Sequence, residues 1–313
     1  MSKSVLSAPH FHEEESAYAY VEARLWPHGP VCYHCKGNER IGKMGGKSTR
    51  VGLYKCYACR KPFTVKMGTI FESSHVELHL WLQAIHLIAA SKKGISSNQL
   101  HRVLGVTLKT AWFMSHRIRE AMNPGSIGPM GGSGQIVGAD ETEITPSRKT
   151  WAANRTQRSQ NMRFLALIER GGSVRSKVID ERGMGQVRAA VRQHLAPGSI
   201  LHTDSAQVYK FIMPLGQHEA VNHSKQFARD SNNGRVHTNT AEGYFSLFKR
   251  GLVGTYQHIE ERHLQRYLAE FDFRMNNRAK MGYDDTMRAE KALLGVVGKR
   301  LTYRTTDRHE TRA

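Results

Sequence analysis

All four cysteines of this 313-residue chain fall in two pairs, Cys32-Tyr-His-Cys35 and Cys56-Tyr-Ala-Cys59, with twenty residues between them. A CxxC turn points two thiolates at one spot, and two such turns at this separation converge on one tetrahedral Zn²⁺. The stretch between the knuckles, GKMGGKSTRVGLYKC, reads as a β-hairpin with a Gly-rich turn. The spacing therefore predicts a zinc ribbon over 32–67, with Cys32, Cys35, Cys56 and Cys59 holding one structural ion. Thiolates fill all four coordination positions, which leaves none for chemistry. His34, between two ligands, reads as a solvent-facing knuckle residue. A reduced metal site, rather than disulfides, suits a chain of this length and kind.

Charge narrows the choice of partner. Lys and Arg number 46 against 27 Asp and Glu, a net charge of +19, and such a surplus calls for a polyanion. Nucleic acid is the first candidate and an anionic membrane the second. The most apolar run, Leu80–Ala90, contains Gln83 and His86 and is too short to span a bilayer. The N-terminus lacks the apolar core of a secretory signal. The expected setting is therefore cytoplasmic, on nucleic acid. Between Lys36 and Lys66 stand nine basic residues and one acid, Glu39, so the ribbon itself is expected to touch phosphates.

Residues 1–31 read as a helical lead-in, with a helix over Glu13–Leu25. Residues 76–122 read as all-helical. VELHLWLQAIHLIAA has the apolar spacing of one amphipathic helix. Ser96 is placed to cap a second helix, Ser97–Leu104. After Gly105-Val106-Thr107 comes a third, LKTAWFMSHRIREAM. Helix, short Gly turn, helix is the helix-turn-helix pattern, with Leu100, Val103 and Leu104 expected inward. Lys109, His116, Arg117 and Arg119 lie on the last helix, in a stretch from Lys92 to Arg119 without an acid. That composition suits a major groove. Five Gly and two Pro in Asn123–Gly134 then mark a linker.

Beyond the linker the pattern turns to strands: Gln135–Ile144, Phe164–Glu169 and Ser173–Asp180. A helix follows at Met184–Leu195, then a strand Ser199–Thr203 ending at Asp204, a short helix near Gln207–Ile212 and a short strand at Glu219–Asn222. Helices close the series at His237–Arg250 and 259–278. This alternation predicts an α/β fold, a mixed sheet flanked by helices, over 135–280, with a basic tail over 281–313.

Three carboxylates stand out by position. Asp140 and Asp204 lie at or near strand ends, at the carboxyl edge where α/β sheets bind ligands, and Glu242 lies on the helix that follows. Clustered carboxylates repel unless a cation sits between them, and hard Mg²⁺ or Mn²⁺ is their natural ligand. Two such ions activate the attacking oxygen and stabilise the leaving one in phosphoryl transfer. Lys249 stands two helical turns beyond Glu242, on the same face, placed to hold a phosphate. Asn239 and His237 are expected as neighbours of the site. Glu141 and Glu143 rank lower, because strand alternation turns both to the other face from Asp140. Glu270 lies on a helix whose facing residues are apolar. Arg148, Lys149, Arg155, Arg158 and Arg163, in a stretch without acids, are candidates for DNA backbone contacts.

At this point the chain resembles a known family: bacterial insertion-sequence DDE transposases with an N-terminal zinc ribbon, the ISXO-like group. The resemblance spans nearly the whole chain. It rests on the ribbon CYHC…CYAC, on KPFTVKMGTIFESSH after it, and on GADET, LHTDSAQVY, HTNTAEGYFSLFKRGLVGTYQHI and HLQRYLAEFDFRMNNR. It implies an RNase H-like catalytic domain behind the ribbon and helix-turn-helix. Asp140 and Asp204 become the two aspartates, Glu242 the third acid and Lys249 the basic residue after it. Some members of the group carry Asn as the third motif residue, and Asn239 is the position to weigh against Glu242. The implied reaction is in-line displacement at phosphorus, with two Mg²⁺ or Mn²⁺ ions. Water cuts the end of an element, and the freed 3′-hydroxyl attacks target DNA. The implied partners are double-stranded terminal inverted repeats and target DNA. A homodimer or larger assembly would hold two ends, in a nucleoid-associated setting. A DNA-binding regulator with an inactive catalytic domain, or a structure-selective nuclease of the same fold, are the alternatives.

Overall fold

The computed structural model describes residues 4–125, 128–145, 162–179, 184–209, 216–222 and 225–302. The chain divides into two compact units, 1–123 together with 282–313, and 124–281.

The first unit joins the ribbon to a helical cluster. Strands β1 (Ile41–Lys43), β2 (Tyr54–Cys56) and β3 (Pro62–Phe63) form an antiparallel sheet in that order. Helix α1 (Glu14–Leu25) precedes them; α2 (Leu78–Ala90), α3 (Ser97–Leu104) and α4 (Leu108–Met122) follow. Leu78, Trp81, Leu82, Ile85 and Ile88 recur at helical spacing and are buried, so α2 is the spine on which the others pack. Its N-terminus has no cap from its own flank. Glu14 of α1 supplies one instead. Its carboxylate accepts the amides of Leu78 at 2.8 Å and His79 at 3.1 Å. A carboxylate on orphan helix N–H groups satisfies them and opposes the dipole. Glu14→Ala is therefore expected to cost about 1–2 kcal/mol, with a smaller loss for Glu14→Gln; a thermal melt that does not move would rule the cap out.

Gly52 shows how closely the ribbon meets α1. Its φ is +69°, and a Cβ there would stand 2.0 Å from the ring of Tyr18, so both backbone and space demand glycine.

Helices α3 and α4 take the expected boundaries. Ser96 accepts from the Gln99 amide, Thr107 accepts from the Thr110 amide, and Gly105 between them is left-handed with φ 67°. Their faces differ from expectation in two ways. Leu100 and Leu104 are buried, but Val103 is 54% exposed. On α4, His116, Arg117 and Arg119 are buried, which removes them from any free DNA-reading surface. Arg117 instead donates to the carbonyls of Ile70 (2.6 Å), Glu72 (3.0 Å) and Leu301 (3.1 Å). Arg119 reaches the Ser115 hydroxyl. A buried guanidinium needs such acceptors, and backbone carbonyls satisfy a cation as no apolar neighbour would. Lys109, in the first turn of α4, remains exposed.

The expected C-terminal tail is also partly a helix. Asp285–Leu294, capped by Asp284 on the Met287 amide, packs against α1, α2 and α4.

The second unit is a five-stranded mixed sheet. Its strands are β4 (Ile136–Ile144), β5 (Met162–Glu169), β6 (Val174–Ile179), β7 (Ser199–Asp204) and β8 (Gly216–Val221), in spatial order β6-β5-β4-β7-β8. β6, β5 and β4 pair antiparallel; β4, β7 and β8 pair parallel. Helix α5 (Met184–His194) joins β6 to β7. A hairpin absent from the sequence reading, β9 (Arg229–Ser231) and β10 (Gly234–Val236), follows β8. Then come α6 (Asn239–Gly251), a π-helical turn (Leu252–Tyr256) and α7 (Glu261–Asn276). The linker is less free than its composition suggests: Met130 is buried and exchanges backbone bonds with His194 and Ala196.

Each face of the sheet has its own core. On one, Phe164, Ala166 and Ile168 meet Tyr244, Phe245 and Phe248 of α6 and Leu264, Leu268 and Phe271 of α7. On the other, Val137, Ala139, Leu165 and Leu167 meet Val187 and Val191 of α5. Alternation along β5 divides its residues between the two layers. The outer edge of β6 is met by α7: Asn276 bonds both backbone groups of Val174, Asp272 accepts the Ser176 amide at 2.7 Å, and Gln265 bonds the Ser176 carbonyl and Val178 amide, each at 3.0 Å.

Candidate functional site

Strand register brings the two aspartates together. β4 and β7 pair as Ile136–Ile200, Val137–Leu201 and Gly138–His202. Two residues further in the same register, Asp140 is level with Asp204. Val137 and Ala139 face the α5 core, so Asp140 faces the opposite layer, which holds α6. Glu242 is in the first turn of α6. Among the described residues no side chain caps the helix, and the Glu242 amide donates to the Thr238 carbonyl at 3.2 Å.

The three acids are linked by their charges. Burial, then the charges of Asp204, Glu141 and Glu242, push the Asp140 carboxyl up to about 7. A carboxyl held this high beside other acids marks a place where a cation is welcome. The donors are all carboxylate oxygens, the set that hard divalent ions take. Asp140 and Asp204 also cap their own turns, accepting from the amides of Glu141 at 2.9 Å and Ala206 at 3.0 Å.

Asn239 opens α6 and is exposed, as is Lys249 two turns beyond Glu242. Glu270 is fully buried on α7, where it accepts from Arg274 and from the Tyr256 hydroxyl; this ion pair keeps it in the core. Arg148, Lys149, Arg155 and Arg158 lie outside the described residues. Arg163 pairs with Glu143.

Two contacts around the acids, those of Tyr209 and His202, were not read from sequence. The Tyr209 hydroxyl donates to Glu141 on the far side of β4. His202 sits two residues before Asp204 and thus on the same face, a signal that alternation offered. Burial, with Arg170 beside it, pushes the His202 imidazole down to about 4, so it is neutral and accepts from Arg170 at 3.3 Å. His237, lowered by burial and by Arg170 and Arg235, feels the charge of Glu242 in the opposite sense. Arg170 thus joins the two histidines, and of these His237 feels Glu242.

The second candidate centre is the ribbon. The Sγ atoms of Cys32, Cys35, Cys56 and Cys59 all lie within 4.8 Å of one another, with Cys32–Cys59 at 3.6 Å and Cys35–Cys56 at 3.7 Å. This is the donor set and clustering of a tetrathiolate zinc site. Each knuckle is followed by a left-handed residue, Lys36 or Arg60. Of the nine basic residues, seven are exposed, Lys55 is half-buried, and Lys66 turns inward to donate to the carbonyls of Ser74 and Val76.

Comparison with known proteins follows the same division. An ISXO2-like transposase domain matches residues 133–276, which include Asp140, Asp204, Glu242 and Lys249. A transposase zinc-ribbon domain matches residues 12–62, with all four cysteines. An uncharacterised protein in transposable element ISH50 of Halobacterium salinarum is 26% identical over 287 residues, covering 84% of this chain and 91% of that one.

Proposed function

The chain belongs to the ISXO2-like transposases that carry an N-terminal zinc ribbon, and on that premise we propose that it binds the terminal inverted repeats of its element, cuts the ends and joins the 3′-hydroxyl to target DNA. The observation that carries the reading is the β4–β7 register, which carried two residues past Gly138–His202 brings Asp140 beside Asp204, together with the charge that Asp204 and Glu242 exert on Asp140. We read the sheet unit as an RNase H-like catalytic domain. Asp140, Asp204 and Glu242 would hold two Mg²⁺ or Mn²⁺ ions, which when bound activate the attacking oxygen and stabilise the leaving one. The chain's own part is positioning. Two strands and one helix fix the carboxylates, Lys249 holds a phosphate from the exposed face of α6, and Arg170 with His202 braces the strand that carries Asp204. Asn239 is a neighbour that contacts DNA.

Delivery of DNA falls to the first unit. Lys36, Arg40, Lys43, Lys47, Arg50, Arg60 and Lys61 form the exposed basic face of the ribbon, suited to phosphates. With His116, Arg117 and Arg119 buried, a helix-turn-helix reading rests on the first turn of α4 alone, where Leu108 and Lys109 are exposed. Recognition helices contact base edges through their N-terminal residues. Two ends must meet, which calls for a dimer or larger assembly on DNA.

The test is strand transfer of a labelled duplex from the DNA bordering the coding sequence, with and without Mg²⁺. Joined products that form without divalent metal would end this reading. A second expectation follows from Asp140. Its carboxyl is raised from 3.8 to about 7, so binding a divalent ion must expel a proton below that pH. Apparent Mn²⁺ affinity is expected to climb with pH by up to about tenfold per unit and to flatten above about pH 8. In metal-free protein, Asp140's contribution to stability is complete below its unfolded value of 3.8 and is lost as pH rises through about 7. Calorimetry of Mn²⁺ binding in buffers of different ionisation enthalpy measures the released proton; pH-independent binding between 6 and 8 would contradict it.

A further inference from the structure

Phe227 is 80% exposed, the most exposed large apolar side chain among the described residues. Burying a phenyl ring is among the larger gains of folding, and this ring is left in water.

The backbone shows where it stands. β8 pairs with β7 out to Asp204–Val221. The next residue, Asn222, accepts the amides of Lys225 at 2.9 Å and Gln226 at 3.0 Å, which folds the chain back at the end of β8. Past Phe227, the Arg229 guanidinium donates to the Ala220 carbonyl at 2.8 Å and to Glu219 at 3.1 Å. Phe227 is thus held from both sides at the carboxyl end of β8, the strand beside Asp204. Strand spacing and the reach of the intervening turn put its Cα within about 20 Å of that aspartate. One turn of duplex is about 34 Å, so DNA whose phosphate lies on the acids passes this loop.

We propose that Phe227 stacks on a DNA base beside the phosphate at Asp140 and Asp204 and holds that base out of the duplex stack. This rests on the transposase reading above and adds a base contact to it. The surroundings favour a base over a protein partner. Gln226, Asp230 and Lys225 are polar and exposed beside it, and no second large apolar side chain is exposed between 216 and 252 among the described residues. A protein-docking patch needs a contiguous apolar area; a base needs one ring and a nearby cation, and Lys225 is exposed two residues away.

The test uses full-length protein and a duplex from the DNA bordering the coding sequence, with 2-aminopurine on either side of the cut position. In the Asp204→Ala background, which holds DNA without cutting it, binding is expected to raise 2-aminopurine fluorescence several-fold. Adding Phe227→Ala is expected to remove that rise, and Phe227→Trp to keep it. With Asp204 intact, Phe227→Ala is expected to cut about tenfold or more slowly at an unchanged melting temperature, and Phe227→Tyr to restore the rate. Wild-type cutting and an undiminished signal in Phe227→Ala would overturn the proposal, as would a Phe227→Ala defect that tracks loss of self-association in light scattering. An Asp204→Ala protein that still cuts would instead overturn the acid assignment and leave the base contact standing.

Discussion

Asp204→Ala is expected to lower the rate of end cleavage by about 10³-fold or more, because it removes an oxygen donor from the centre that stabilises charge in the transition state. Nicking of a labelled end duplex in Mg²⁺ measures it. The folded protein should not suffer. Asp204 is a principal cause of the raised Asp140 carboxyl, so removing it relieves like-charge repulsion, and the metal-free melt is expected to hold or rise slightly. A fall in melting temperature that parallels the loss of activity would assign Asp204 a structural role instead. Glu242→Gln belongs to the same series. Its charge reaches both Asp140 and His237, whereas Asn239, exposed like Glu242 in the first turn of the helix, is neutral. Glu242→Gln is therefore expected to approach Asp204→Ala in severity, and Asn239→Ala to stay within about tenfold of wild type. The reverse order would transfer the third position to Asn239.

Zinc removal is expected to be the largest change in stability. The ribbon's own core cluster is small: Cys32, Cys56 and Phe63, with Trp26, Ile41, Tyr54, Cys59 and Met67 against them. So small a core does not offset the entropy of ordering the chain. Structural zinc supplies about 10–16 kcal/mol in comparable small domains. Chelation, or Cys56→Ser, is expected to unfold residues 32–67 and abolish end binding. The sheet unit, with its two separate cores, is expected to keep its own melting transition. Metal analysis with circular dichroism and calorimetry checks this. Protein that carries no zinc and still binds ends with a folded ribbon would refute it.

What sequence can disclose here depends on distance along the chain. The zinc site was legible because each pair of ligands is local and the spacing is set by coordination geometry. Asp204 could be singled out from its strand end, but Asp140, expected at a strand end, falls in the middle of β4, and the register that relates the two couples strands about sixty residues apart, which no local pattern encodes. The β9–β10 hairpin was legible in principle: it turns through Asn232-Asn233, with Gly234 at φ 100° opening β10, a run of turn residues that a polar surrounding obscured. Arg117 and Arg119 were misread for a different reason. A run of basic residues reports charge, not burial, and only the carbonyls of Ile70, Glu72 and Leu301 reveal where the Arg117 guanidinium goes. Asp285–Leu294 reads as tail because four charged residues and a basic surround hide a short apolar stripe ending at Ala292 and Leu293.

The polar face of α7 has a consequence for how copies of this chain can meet. An edge strand normally offers its row of free amides and carbonyls to any extended segment that drifts by, whether a partner or another misfolding chain. At β6 that row is already engaged by Gln265, Asp272 and Asn276. An incoming strand would have to break several bonds before making its first. A synapse joining two DNA ends therefore cannot be built by continuing the sheet from one subunit to the next through β6. It has to form through side-chain surfaces or the DNA itself. The same closed edge guards against fibre-like stacking when the protein gathers at high local concentration on its own DNA.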